Sequence, residues 1–252
     1  DAQLNAAVTD LEQILRDERD RLDPRTVLVI ERHLKAIDEA VGRATEMGRP
    51  VMFCTGLGGI DITTLAGISV LQYVAKVCAR YNTRLLVSVA DSTVFPVVEE
   101  VCRQSYAAEG RLEDFKPQDI RFLSERQFAW ASSTVGWMTR EKTAASFFFG
   151  YYAAEALMLA ESGQQLGAIQ VASTDQFTQI PFFISACDYV LIGEEHYAAG
   201  AYLSRESTML GSLIGQDFGK IILLVIVLAG VFITTVFPKN NWLIELLTRA
   251  IG

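Results

Sequence analysis

Histidine is almost absent from this chain: His33 and His196 are the only two in 252 residues. A histidine-rich metal site is thereby excluded. The four cysteines, Cys54, Cys78, Cys102 and Cys187, stand far apart and form no CxxC pair, so no zinc site is expected. They read as reduced thiols buried in a cytoplasmic domain. No GxSxG, HExxH or DxD-type metal loop occurs, and no Ser/His/Asp order. Positive charge is in short supply: 22 Lys and Arg stand against 30 Asp and Glu, a net charge of -8. A nucleic-acid partner needs a basic footprint to neutralise phosphates, so none is expected.

Apolar residues are plentiful. They make up 50% of the chain, and the mean hydropathy of +0.24 owes much to one segment near the C-terminus. Ile221–Phe237 (IILLVIVLAGVFITTVF) carries no charge, and Lys220 and Lys239 flank it. As a helix it would be about 25 Å long, the short end of what spans a bilayer core. Residues 220–238 are therefore expected to form one transmembrane helix, after a linker at 207–219. The tail 239–252 (from NWLIELLTRAIG) has the pattern of an amphipathic helix lying at the interface. Positive charges near the two ends of the span tie. The free thiols then favour a single-pass protein of the inner membrane with its large domain in the cytoplasm.

Residues 1–47 read as a helical hairpin. Leu4, Val8, Leu11, Ile14 and Leu15 recur at helical spacing, Asp23-Pro24 breaks the chain, and Val27, Ile30, Leu34, Ile37 and Val41 form a second stripe. Two such helices bury too little alone, so the stripes need a partner. A parallel sheet should already be covered by its own helices, which points to a neighbouring subunit and a homo-oligomer.

From Pro50 the pattern changes to short apolar runs alternating with helical stretches. Strands are expected at Val51–Cys54, Arg84–Val89, Ile120–Leu123, Ala144–Phe149, 167–172 (GAIQVA) and Asp188–Ile192. Helices are expected between them, at about 63–81, 94–108, 127–141 and 152–165, with a last one at Glu194–Leu203. Ser124 and Gln127 have capping-box spacing for the third of these. The fold class is α/β: a Rossmann-like, doubly wound, mostly parallel sheet over residues 48–206. Phe147–Ala160 could also be read as a second membrane helix, but Glu155 in its middle would cost a few kcal/mol there. Strand, Gly150 turn and helix account for the same residues without that cost.

These residues resemble a known family. MGRPVMFCTGLGG, the acidic pair in VVEEVCRQSYAAEG, the long run GAIQVASTDQFTQIPFFISACDYVLIGEEHYAAGAYLS and GQDFGK are similar to a bacterial and archaeal membrane family, DUF6754, over about residues 40–232. The resemblance implies a membrane-bound α/β domain and no catalytic activity. Residues 1–38 lie outside it. LDPRTVLVIERHLKAID also resembles, loosely, the stalk helices of some anti-sigma factors; no HxxxCxxC box accompanies it, so that function is not carried over.

Ligands on such sheets sit at the carboxyl ends of the strands. Thr55, Gly56, Gly58 and Gly59 in TGLGG could offer backbone N–H groups to an anion, although the loop is neither GxGxxG nor a P-loop, and Asp61 would repel a phosphate. Asp91 could reach a ribose hydroxyl or cap the next helix. Ser173 and Asp175 could line a pocket or serve a turn. His196, between Glu194-Glu195 and Tyr197, is a possible base without a nucleophile at fixed spacing. No cofactor is expected. The favoured expectation is a non-catalytic, membrane-anchored scaffold or assembly subunit. It self-associates or organises other membrane-complex subunits, and the small-residue stretches AAGAY and YYAAEA would allow close packing between subunits. The alternative is a membrane-tethered sensor that binds a nucleotide or small anion at the strand ends.

Overall fold

A computed structural model of the chain describes residues 24–204 and 219–232, with side chains of the first stretch from residue 32 to 203. The first stretch lies in one compact unit and the second in another. In the first, helix α1 (Pro24–Glu46) is followed by β1 (Val51–Gly56), α2 (Ile62–Tyr81), β2 (Leu85–Val89) and α3 (Phe95–Ala108). Two short 3-10 turns lead to β3 (Ile120–Phe122). Then come α4 (Gln127–Glu141), β4 (Ala145–Tyr151), α5 (Ala156–Gln165), β5 (Ile169–Thr174), α6 (Ile180–Ala186), β6 (Tyr189–Ile192) and α7 (Glu194–Ser204).

All six strands pair in parallel, in the order β3-β2-β1-β4-β5-β6. This is the doubly wound Rossmann order, with the reversal between β1 and β4. The central strands are buried along almost their whole length, as the continuous apolar runs VMFC, LLVSV and ASFFF require of a sheet covered on both faces. Phe53, Val87, Phe147, Phe149 and Val171 pack on one face, with α1, α2, α3 and α7. Met52, Leu86, Phe148 and Ala172 pack on the other, with α4, α5 and α6.

Three expectations are corrected. The α1 stripe does not wait for a neighbouring subunit: Ile37, Ala40, Val41 and Ala44 are buried in the core of their own unit. The reason is the path of the chain. The crossovers α5 and α6 both run over the second face, so the first face above β4, β5 and β6 is left to α1 and α7. The AAGAY stretch likewise serves packing within the chain. A Cβ on Gly200 would lie 2.8 Å from Ala66 Cα, which lets α7 lie directly on α2. Finally, Ser124 and Gln127 form no capping box. The Ser124 hydroxyl accepts from the Arg126 N–H instead, and the Gln127 amide donates to Glu155.

Helix α5 begins at Ala156, later than the pattern implied. β4 continues to Tyr151, and Tyr152 then turns into the second face, where its hydroxyl donates to the Cys54 carbonyl at 2.8 Å. Phe147–Ala160 is thus strand, turn and helix, and Glu155 is fully buried in the turn. All four cysteines are free.

In the second unit, the described residues form helix α8 (Gly219–Phe232), about 21 Å at the α-helical rise. Its residues Ile221 to Leu228, with Val231 and Phe232, are all exposed apolar side chains. Residues 233–237, the first hairpin helix at 1–23, most of the linker and the tail 239–252 lie outside the described residues. Among the described helices, only α2 is long and apolar enough to cross a membrane, and it is largely buried between the sheet and its neighbours.

Candidate functional site

At the reversal between β1 and β4 the connections leave to opposite faces, and in open α/β sheets a ligand usually sits outside the strand ends there. Here the strands stay together to their ends. Gly56 pairs with Tyr151, and Leu57 N–H donates to the Tyr151 carbonyl at 2.8 Å. Two glycines make that approach possible. Gly56 has φ +75° and Gly150 φ +140°; a Cβ on the first would run into the Tyr151 backbone, and one on the second into the Thr55 carbonyl. Thr55 and Gly56 therefore belong to the end of β1, held tightly against β4.

The rest of TGLGG leads into α2. Asp61 is the N-cap: its carboxylate accepts from Thr64 N–H at 2.7 Å. The negative charge at this helix start is the chain's own. Gly58 packs beneath the Thr64 hydroxyl and the Asp61 carboxylate, with no room for a side chain, and a Cβ on Gly59 would lie 3.6 Å from the Asp91 carboxylate. The first two loops are thus neighbours. Asp91 accepts from Thr93 N–H at 2.8 Å, from the Thr93 hydroxyl and from Val94 N–H at 3.2 Å. The Thr93 hydroxyl bond, against a smaller opposing effect of burial, holds its carboxyl below the usual range.

Ser173 and Asp175 belong to a second cluster, with Thr63, His196 and Tyr197. His196 is fully buried. Its Nε2 lies 2.8 Å from the Thr63 carbonyl, which only accepts, so Nε2 carries the proton. Nδ1 therefore accepts, from the Ser173 hydroxyl at 2.8 Å. Burial depresses the imidazole's affinity for a second proton, so the ring is neutral. Asp175 Oδ2 accepts from the Tyr197 hydroxyl at 2.7 Å and the Thr63 hydroxyl at 2.9 Å. Burial alone would raise the Asp175 carboxyl; the bonds from Tyr197, Gln176 and Thr63 outweigh it and leave it below its ordinary value. Ser173 and His196 form a Ser–His pair, but both are wholly enclosed, and the imidazole is committed at both nitrogens. The arrangement ties α7 to α2 and β5; it does not present a nucleophile. The chain separation of Thr63 from Tyr197 left no spacing signal for this cluster.

The loops share one electrostatic property. Segments 57–61, 90–94, 152–155 and 175–179, and residues 193–195, contain Asp61, Asp91, Glu155, Asp175, Glu194 and Glu195 and not one Lys or Arg. The loop before α4 adds Glu125 and Arg126. The carboxylates are dispersed: among the described residues no three His, Cys, Asp or Glu side chains gather as a metal site. Exposed apolar side chains stand among them. Ile62 is 70% exposed and Phe177 79%, with Ile60, Tyr151 and Ile192 also open.

A cavity of about 240 Å³ lies at the opposite end of the sheet, between Asn82–Leu85, Cys102, Tyr106 and the segment Asp114–Ile120. It is braced by Arg84, whose guanidinium donates twice to Asp119, at 2.7 and 2.6 Å, and once to Glu141 at 2.8 Å.

No curated protein and no solved structure matches the chain. A family model does, and its match is wider than the 40–232 expected, taking in all of α1. That match, to the domain of unknown function DUF6754, spans residues 22–244, most of the chain, and the chain belongs to that family.

Proposed function

We propose that the protein is a membrane-anchored scaffold or assembly subunit that self-associates or organises a larger complex at the inner membrane, without catalysis. One observation carries this reading: the strand-end region, where an α/β sheet would hold a substrate, instead carries a group of exposed apolar side chains, Ile60, Ile62, Tyr151, Phe177 and Ile192, among carboxylates. Apolar side chains left open in a group suit contact with another macromolecule. The apolar sides of α8 suit lipid, and the flanking Lys220 and Lys239 would reach the two headgroup layers, with the α/β unit on the cytoplasmic side.

The sensor alternative is less favourable in electrostatic terms. A nucleotide or other anion at the ends of β1, β5 and β6 would have to approach Asp61, Asp175, Glu194 and Glu195 in loops that hold no Lys or Arg. Calorimetry with ATP and with inorganic phosphate is expected to give no binding heat, and binding lost in Gly58→Asp would revive the sensor. The assembly reading is tested on the full chain extracted in mild detergent. Light scattering should give a mass above that of the monomer, and membranes should retain the protein in an alkaline wash. Val227→Arg should weaken insertion by about 2.5–3.5 kcal/mol. A monomeric protein without co-purifying subunits would refute assembly. If a chain ending at Gln216 stayed integral to the membrane, the anchor would be misassigned.

A further inference from the structure

The strand-end rim has a composition that narrows its partner. β1, β4, β5 and β6 are consecutive neighbours in the sheet, so the exposed Ile60 and Ile62 after β1, Tyr151 at the end of β4, Phe177 after β5 and Ile192 at the end of β6 follow one another along one edge. The Phe177 ring lies over the β6–α7 turn, 3.7 Å from where a Cβ on Gly193 would stand. Asp61, Asp91, Asp175 and Glu195 are interleaved with these side chains. Each is held by hydroxyl or backbone N–H donors and not by a Lys or Arg. Those bonds fix the carboxylates in place without cancelling their charge.

We propose that this edge docks a protein segment that presents apolar side chains beside Lys or Arg. The proposal rests on the assembly reading and specifies the chemistry of its partner. Charge complementarity excludes the other occupants. A second copy using the same edge would set carboxylates against carboxylates, and like charges across an interface are strongly unfavourable. An anionic lipid surface would be repelled in the same way. A basic, apolar segment satisfies both features: its apolar side chains cover Ile62 and Phe177, and its cations meet the carboxylates in a partly desolvated rim. Phe177 is the anchor, because it is the most exposed of these side chains at 79% and aromatic side chains carry a large share of binding energy at interfaces.

The test uses the full chain in its native membrane with a photoreactive benzoylphenylalanine in place of Phe177. Irradiation is expected to join it to a different polypeptide, and the cross-linked peptide mapped by mass spectrometry should carry Lys or Arg next to apolar residues. The triple change Asp61→Asn, Asp91→Asn and Glu195→Gln removes charge while keeping helix caps, since Asn caps as well as Asp, and leaves Glu195 an amide oxygen to accept from Ile192 N–H. It should reduce the cross-linked yield about five-fold, as should raised salt during irradiation. Circular dichroism of the triple variant checks that the fold is retained. Cross-links to a second copy alone, to lipid alone or to nothing would overturn the proposal, as would a yield indifferent to the triple change. The light-scattering mass and alkaline wash report on assembly and anchoring separately, so a failure here is distinguishable from a failure of that reading.

Discussion

His196 Nε2 donates to the backbone carbonyl of Thr63 across 2.8 Å, joining α7 to the first turn of α2 without exposing either group to water. Because burial holds the His196 pKa below its ordinary 6.5, the unfolded chain binds a proton that the folded chain refuses. Stability from this group is therefore complete above about pH 6.5 and declines as pH falls from there towards the lower folded-state pKa. Melting temperature measured between pH 7.5 and 5 should fall on the acid side. His196→Asn should remove that component of the slope and lower stability at pH 7.5 by about 1–3 kcal/mol, the range for leaving a buried partner unsatisfied. An unchanged slope would show that the pair is not what senses pH.

Gly150 and Gly42 should respond oppositely to alanine. At Gly150 the φ of +140° and the collision with the Thr55 carbonyl would force β1 and β4 apart, at a cost of at least about 3 kcal/mol. Gly42 lies within α1, and a Cβ there would meet nothing within 4 Å. Gly42→Ala should raise stability by up to about 1 kcal/mol through helix propensity. Urea denaturation of the two variants decides, and a mild Gly150→Ala effect would contradict the close backbone approach of β1 and β4.

Ile37 tests the docking of α1. It is 2% exposed and packs in the main core, so Ile37→Ala should cost about 2–4 kcal/mol of the stability of the whole α/β unit. If α1 instead served only a contact between subunits, the change would lower oligomer mass and leave the denaturation midpoint where it was.

Thiol reactivity should separate Cys187 from the others. Cys54, Cys78 and Cys102 are buried, and burial pushes the Cys102 thiol up to about 12. With the thiolate suppressed and access closed, these three should alkylate only after denaturant is added, while half-buried Cys187 reacts slowly in the native protein. Mass spectrometry of the alkylated chain should find no disulfide-linked peptides.

The succession of strands and helices from Val51 onward was legible in local patterns, since a strand buried on both faces must be an unbroken apolar run. One element escaped. The short helix at Ile180–Ala186 carries only Ile180, Phe183 and Ala186 as buried positions, too few for a periodicity to show. Boundaries slipped where a tertiary contact took over, as at Tyr152, whose hydroxyl finds the Cys54 carbonyl and delays α5.

Of the candidate site residues, Gly58, Gly59, Asp91 and Asp175 follow strand ends because chain order sets which residues come after a strand, while Thr55, Gly56 and Ser173, expected in loops, lie within β1 and β5, which run further than the apolar pattern showed. Their partners were another matter. Asp61 reaches Thr64 within its own turn, a relation that three-residue spacing encodes. His196 reaches Thr63 and Ser173, and Tyr197 reaches Asp175, only because β5 and α7 come to rest beside α2.

Composition and local pattern by themselves determined the α/β class, the parallel sheet and the acidic character of its strand-end loops. These depend on residues adjacent in the chain and on their summed charge. Tertiary structure alone decided that α1 covers its own sheet, that Gly56 and Gly150 let the β1 and β4 backbones meet closely, and that Ser173 and His196 are sealed from solvent. Each is a contact between segments far apart in sequence. It is set by which face the α5 and α6 crossovers occupy and how near two backbones approach, and no local pattern records either.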